Sequence, residues 1–159
     1  PAAVMEFANS RLVAAGLEGA FVTAFFGIFD PLSGRLTYSN AGHPPPRLNR
    51  GADGAVRPIE DAATLPLGII EPLAATTGEV TLTVNDTLVL YTDGITEAFD
   101  PAKEMFGTQR LDDTLDACTG APDCVVESVH RALFDHRGSS TRDDDQTLLA
   151  VRFHGLCKV

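Results

Sequence analysis

Residues Thr87 to Tyr91 read Thr-Leu-Val-Leu-Tyr, a nearly continuous run of apolar β-formers that stops at Thr92-Asp93-Gly94. Such a run has no polar face to offer water, so it is expected as a strand covered on both sides. This one segment requires a sheet with other elements packed over it. A chain of 159 residues can supply that as one domain around a core. It also places an aspartate at the end of a buried, rigid element.

The neighbouring pattern is of two kinds. Pro1 to Ala15 is expected as a helix with Val4, Phe7, Ala8 and Leu12 on one face and Gly16 as its stop. Phe21 to Asp30 and Arg35 to Asn40 are expected as paired strands around the turn Asp30-Pro31-Leu32-Ser33-Gly34. Pro44, Pro45 and Pro46 force an extended segment. A shorter hairpin is expected around Arg50 to Gly54, turning at Asp53-Gly54. Glu79 to Val84 alternates, with Val80, Leu82 and Val84 pointing one way, and Asn85-Asp86 turns into the apolar run. Helices are expected over Thr108 to Ala117 and from Pro122 to His136, with Gly138 ending the second. Ser139 to Asp145 is a polar loop, and Thr147 to Phe153 is expected as a final buried strand. Consecutive hairpin strands with segregated helices imply an α+β fold.

Composition excludes several functions. Hydrophobic residues at 44% and charged residues at 21% describe a globular chain. The longest apolar stretch, Gly19 to Phe29, is too short to span a bilayer and contains Thr23, so no membrane insertion of this domain is expected. The net charge of −10 gives no counterion-release gain on a phosphate backbone, so nucleic acid is not expected as a partner. Cys118, Cys124 and Cys157 are odd in number and form no Cys-x-x-Cys pair. They are expected to be reduced thiols of a cytoplasmic protein, neither a disulfide frame nor a zinc site.

Three places can carry chemistry. Asp93 ends the apolar strand, and Gly94 lets solvent and backbone come close to it. Asp143-Asp144-Asp145-Gln146-Thr147 opens the last strand with clustered acids. Carboxylates held at strand ends suit a hard divalent cation, since Mg²⁺ takes one or two of them plus water. The same residues also read as a plain Asp-Gly turn and a solvated loop. Asn40-Ala41-Gly42-His43-Pro44-Pro45 is the third place: His43 is a base or ligand candidate, or part of a rigid turn whose Asn and His bond nearby backbone. Thr96 and Glu97 either support Asp93 or form an exposed turn.

Taken in order, these segments resemble the SpoIIE/RsbU branch of the metal-dependent serine/threonine phosphatases. The likeness rests on Phe21 to Gly27, Asp30-Pro31 with Gly34, Asn40 to Pro45, Pro66-Leu67-Gly68, Leu88 to Ala98, Phe106-Gly107 and Asp144-Asp145-Gln146-Thr147. Leu88 to Ala98 is the most specific of these. The resemblance implies a four-layer α/β/β/α sandwich with two Mn²⁺ or Mg²⁺ ions that activate a water against phosphoserine. It implies that Asp93 and Asp144 are catalytic metal ligands, that Gly94 lies against the centre, and that Asp145 and Thr147 orient the loop and strand; Asn40, His43, Thr96 and Glu97 stay open between a supporting and a purely structural role. The implied substrate is a phosphoserine protein of the STAS type, an anti-sigma-factor antagonist. An upstream sensor or receiver domain is a further implied partner, and an unpaired sheet edge left by absent N-terminal strands is expected to invite pairing with another chain as a homodimer.

One family motif is missing. An aspartate followed by Gly-His-Gly has no counterpart, because Gly42-His43 is followed by Pro44. Residues 1–159 are therefore expected to be a phosphatase domain truncated at its N-terminus, without its first strands and one bridging ligand. The competing expectation is a pseudophosphatase that binds the phosphoprotein without hydrolysing it. An aspartyl phosphotransferase fits poorly, since Ile95 stands where its second aspartate belongs.

Overall fold

The computed structural model describes residues 1–16, 19–51, 54–139 and 144–156. The chain divides into two compact units: Pro1–Pro45 with Glu60–Leu82, and Pro46–Ile59 with Thr83–Val159.

The first unit holds helix α1 (Ala2–Ala14) and a four-stranded sheet of β1 (Ala24–Asp30), β2 (Arg35–Ala41), β5 (Ala63–Thr64) and β6 (Gly78–Thr81). β1 and β2 pair antiparallel from Ala24↔Ala41 to Asp30↔Arg35. Their turn is fixed by Asp30, whose carboxylate accepts from the Leu32 N–H at 3.0 Å and the Ser33 hydroxyl at 2.6 Å. Those same two bonds hold the Asp30 carboxyl below the usual carboxylate range, the Ser33 bond most strongly. β2 then pairs parallel with β5 near one end and antiparallel with β6 near the other. Among the described residues β1 pairs along its length only with β2, so it is an edge strand.

Two expectations change here. The inward face of α1 is set by Met5 and Asn9, while Phe7 is 61% exposed and Val4 47%. The reason is polar. Asn9 donates to the Ile70 carbonyl at 2.8 Å and to Glu71 Oε2 at 2.9 Å, and accepts from the Gly68 N–H at 2.8 Å. A fully buried amide with its bonds met outweighs an apolar stripe. The first strand begins at Ala24 rather than Phe21, with Val22 making an isolated bridge to Leu67.

The second unit is an antiparallel sheet in the order β4 (Val56–Pro58), β3 (Arg47–Asn49), β7 (Thr87–Tyr91), β8 (Leu148–Arg152). Helices α2 (Asp93–Thr96), α3 (Gly107–Asp116) and α4 (Pro122–Arg137) complete it. Val89 and Tyr91 meet Ile95, Phe106, Leu111, Leu115, Val125, Val129 and Leu133 in one core. The apolar run is thus the central strand β7, as its composition requires. α4 starts at Pro122 and ends at Gly138 in the left-handed conformation, φ 65°. Arg47 ties α3 to the sheet: its Nε donates to Asp112 Oδ1 at 2.6 Å while its guanidinium lies 5.7 Å from the Tyr91 ring centre.

The second unit also brings corrections. β8 is expected to be buried, yet Leu149 is 53% exposed and Val151 49%, while Leu148 and Ala150 on the opposite face pack against the core. Val84 is 55% exposed because Asp86 takes the Thr83 N–H at 2.8 Å and bends the chain after Leu82. The short hairpin pairs Arg47–Asn49 with Val56–Pro58, and its expected turn residue Asp53 lies outside the described residues.

Cys118 and Cys124 are joined as a disulfide, so the expectation of free thiols fails for both. The turn after α3 and the first turn of α4 bring their Cα atoms to 6.3 Å, within disulfide reach. An odd cysteine count does not exclude one bridge. Cys157 lies outside the described residues. Among the described residues no helix is long and apolar enough to cross a membrane.

Candidate functional site

The two acidic segments meet in the second unit. β7 and β8 pair from Thr87↔Arg152 to Tyr91↔Leu148, so the ends that carry Asp93 and Asp144 arrive together. The ladder continues one step, with the Thr92 N–H donating to the Thr147 carbonyl at 3.1 Å. The chain then departs from strand geometry. The Thr92 carbonyl accepts from the Ile95 N–H at 3.1 Å and the Asp93 carbonyl from the Glu97 N–H at 2.8 Å, which forms α2. The expected Asp-Gly turn is therefore the first residue pair of a short helix.

Gly94 is buried where the two segments cross. A Cβ built on it would collide with the Asp145 carbonyl and stand 3.5 Å from the Asp144 Cβ. The absence of a side chain is thus a condition of the approach. Asp93 Oδ1 accepts from the Gly94 N–H at 3.0 Å, and Asp144 Oδ1 accepts from the Asp145 N–H at 2.7 Å. Both aspartates are exposed, as are Asp145 and Thr147. Beside them a cavity of about 210 Å³ is lined by Gly94, Glu97, Phe99, Arg137, Asp144 and Gln146.

Of the supporting residues expected from sequence, Thr96 donates to the Asp93 carbonyl at 3.3 Å and Glu97 faces the cavity. Asp145 and Thr147 join the other segment through their backbones: the Asp145 carbonyl accepts from Thr92 Oγ1 at 3.3 Å, and the Thr147 N–H donates to Thr92 Oγ1 at 2.9 Å. Asn40 and His43 belong to the first unit. There Asn40 closes a turn, its Nδ2 donating to the His43 carbonyl at 2.9 Å and its Oδ1 accepting from the His43 N–H at 2.8 Å. Asp143 lies outside the described residues. Sequence reasoning passed over Thr92 and Gln146, whose Nε2 donates to the Gly94 carbonyl at 2.8 Å. The available signal was their position, one at the end of β7 and the other between Asp145 and Thr147.

The donor chemistry at this crossing is all oxygen. Exposed carboxylates on adjoining segments are the donor type that a hard divalent cation takes, with water completing its shell. Among the described residues no group of three or more His, Cys, Asp or Glu side chains is placed to hold a metal.

Comparison with known proteins places this fold in a class. The SiaA-PP2C domain of Pseudomonas aeruginosa superposes with a TM-score of 0.80 at 23% identity, over 96% of this chain and 60% of that one. The fold is therefore that of a PP2C-type phosphatase domain. The profile of the SpoIIE family, Stage II sporulation protein E, matches residues 1–154, and the chain belongs to that family. Protein IcfG of Synechocystis sp. is 34% identical over 131 residues, which are 82% of this chain and 20% of IcfG. Phosphoserine phosphatase RsbP of Bacillus subtilis is 26% identical over 131 residues, 82% of this chain and 30% of RsbP. The chain thus spans less than a third of these curated relatives.

Proposed function

We propose that this chain carries part of the active site of a metal-dependent protein serine phosphatase. Asp93 and Asp144 are its contribution to the metal centre. The observation that supports this most is the contact of the Asp93-Gly94 turn with the Asp144-Asp145 turn around a glycine that admits no side chain. When bound, a Mn²⁺ or Mg²⁺ ion in such a centre makes a coordinated water nucleophilic at neutral pH. The chain's own residues hold two carboxylates at fixed strand ends and leave them open to solvent. Residues 1–159 are read as one phosphatase domain whose remaining bridging ligand lies outside this sequence.

The proposed substrate is phosphoserine on a regulatory protein of the STAS type, an antagonist of an anti-sigma factor, with a sensor or receiver domain upstream controlling turnover. The name of the relative RsbP supports phosphoserine as the group attacked. The proposed compartment is the cytoplasm. The Cys118–Cys124 bridge speaks against it, since disulfides are rare there. Thiol labelling of both residues in freshly lysed cells checks it. The missing Gly-His-Gly motif favours a second reading, a pseudophosphatase that binds the phosphoprotein unchanged.

The test measures phosphate release from a phosphoserine STAS protein with Mn²⁺, for this chain and for one extended by upstream coding sequence. The extended chain is expected to turn over, the short one poorly, and Asp93→Asn or Asp144→Asn to abolish turnover in the extended chain. Full turnover by the short chain contradicts the missing-ligand account. Tight binding without turnover by the extended chain selects the pseudophosphatase.

A further inference from the structure

We infer that Thr92 and Gln146 are positioning residues that set the separation of the Asp93 and Asp144 carboxylates for a shared divalent cation. This rests on the metal reading above and assigns work to two residues which that reading leaves idle.

A hydrogen-bonded pair in an antiparallel sheet exchanges two bonds, each N–H going to the opposite carbonyl. Thr92 and Thr147 make the first of these, Thr92 N–H to the Thr147 carbonyl at 3.1 Å. The second is diverted: the Thr147 N–H goes to the Thr92 side-chain oxygen at 2.9 Å. The hydroxyl therefore stands in for a main-chain carbonyl. That carbonyl is released to accept from Ile95, which turns the chain into α2 immediately before Asp93. The hydroxyl hydrogen is directed to the Asp145 carbonyl, a longer bond at 3.3 Å.

Gln146 fixes the other side. Its side-chain amide reaches the Gly94 carbonyl at 2.8 Å, so the residue after Asp93 is held by a side chain two positions beyond Asp144. Asp93 is bracketed by Thr92 and Gly94, and Asp144 is held on the side where Asp145 follows it. The Thr92 and Gln146 side chains lace the two segments together. Without the Thr92 hydroxyl, the Thr147 N–H must compete with Ile95 for the Thr92 carbonyl or stay unpaired. Either outcome moves the start of α2 and Asp93 with it. Groups that orient ligands without touching the ion typically change metal affinity about 10–100-fold when removed.

The experiment titrates Mn²⁺ into the folded chain and follows free Mn²⁺ by electron paramagnetic resonance. The variants are Thr92→Ser, Thr92→Val and Gln146→Leu, with urea midpoints recorded without metal. Thr92→Ser, which keeps the hydroxyl, is expected to bind within about threefold of wild type. Thr92→Val and Gln146→Leu are expected to weaken binding about tenfold or more. If Thr92→Val does not fold, Gln146→Leu carries the test, because its side chain lies outside the main-chain ladder. Variants that lower the urea midpoint yet bind Mn²⁺ like wild type would overturn the inference and leave the metal reading standing. A folded wild-type chain that takes up no Mn²⁺ would overturn both.

Discussion

Gly94 and Asp145 stand in backbone contact, with the Asp145 carbonyl occupying the place where a side chain on residue 94 would begin. The obstacle is main chain on both sides, with the Asp145 carbonyl carbon 3.2 Å from that point, so it cannot rotate away. Gly94→Ala must therefore separate the two acidic segments. It is expected to cost about 1–3 kcal/mol, as overpacking does, and to weaken Mn²⁺ binding as well. Urea unfolding with and without Mn²⁺ checks both. An alanine variant with unchanged stability and unchanged metal response would mean that the segments are not held this close.

Asp86 gives a pH-dependent contribution outside the site. It is fully buried and accepts from the Thr83 N–H at 2.8 Å, the Gly51 N–H at 3.0 Å and Arg50 Nη1 at 2.7 Å. Burial pushes its carboxyl up, but the bonds from Thr83, Gly51 and Arg50 together outweigh burial and bring it below the usual range. A depressed carboxyl stabilises the folded state fully above its unfolded value of about 3.9. That contribution is lost as pH falls from there toward the folded value. Wild-type stability is expected to decline as pH drops below about 4, and Asp86→Asn to show less of this slope. At neutral pH Asp86→Ala is expected to cost about 1–3 kcal/mol, since it removes the shared acceptor of the Thr83 and Gly51 N–H groups and of Arg50. Urea midpoints from pH 3 to pH 7 test this, and parallel curves for wild type and Asp86→Asn would contradict it.

Much of the fold was legible in sequence because its strongest signals are local. β7 announced itself by an apolar run, α4 by Pro122 and Gly138, and the β1–β2 hairpin by Asp30 and Gly34. The failures came where tertiary polar contacts decide. Periodicity places Phe7 inside, but Asn9 has three partners in the Gly68–Glu71 segment and turns the helix toward them. Burial of β8 could not be read, because nothing in its own residues says which of its two faces another element covers. The approach of the Asp93-Gly94 segment to the Asp144-Asp145 segment was legible only as an expectation from two strand ends. Thr92 and Gln146 were not, since their effect depends on which ladder bond is diverted.

Tyr91 provides a control in the same strand. Its hydroxyl is buried and has no hydrogen-bond partner among the described residues, and burial pushes the phenol up despite the opposing pull of Arg47. Removing an unpaired buried hydroxyl relieves a desolvation cost. Tyr91→Phe is expected to leave stability unchanged or raise it by up to about 1 kcal/mol, with Mn²⁺ binding unaltered. Thermal and urea unfolding measure it. A loss beyond about 1.5 kcal/mol would show that the hydroxyl has a partner that matters.

The central claim is that Asp93 and Asp144 share one divalent cation, and the melting temperature with and without Mn²⁺ tests it most directly. At a hundred times the dissociation constant, a ligand bound only by the folded state adds about 2.7 kcal/mol. For a domain of this size that is a rise of roughly 5–10 °C. Wild type is expected to show this rise, and Asp93→Asn and Asp144→Asn each to lose most of it while melting close to wild type without metal. An equal rise in wild type and both variants would contradict a site shared by these two aspartates.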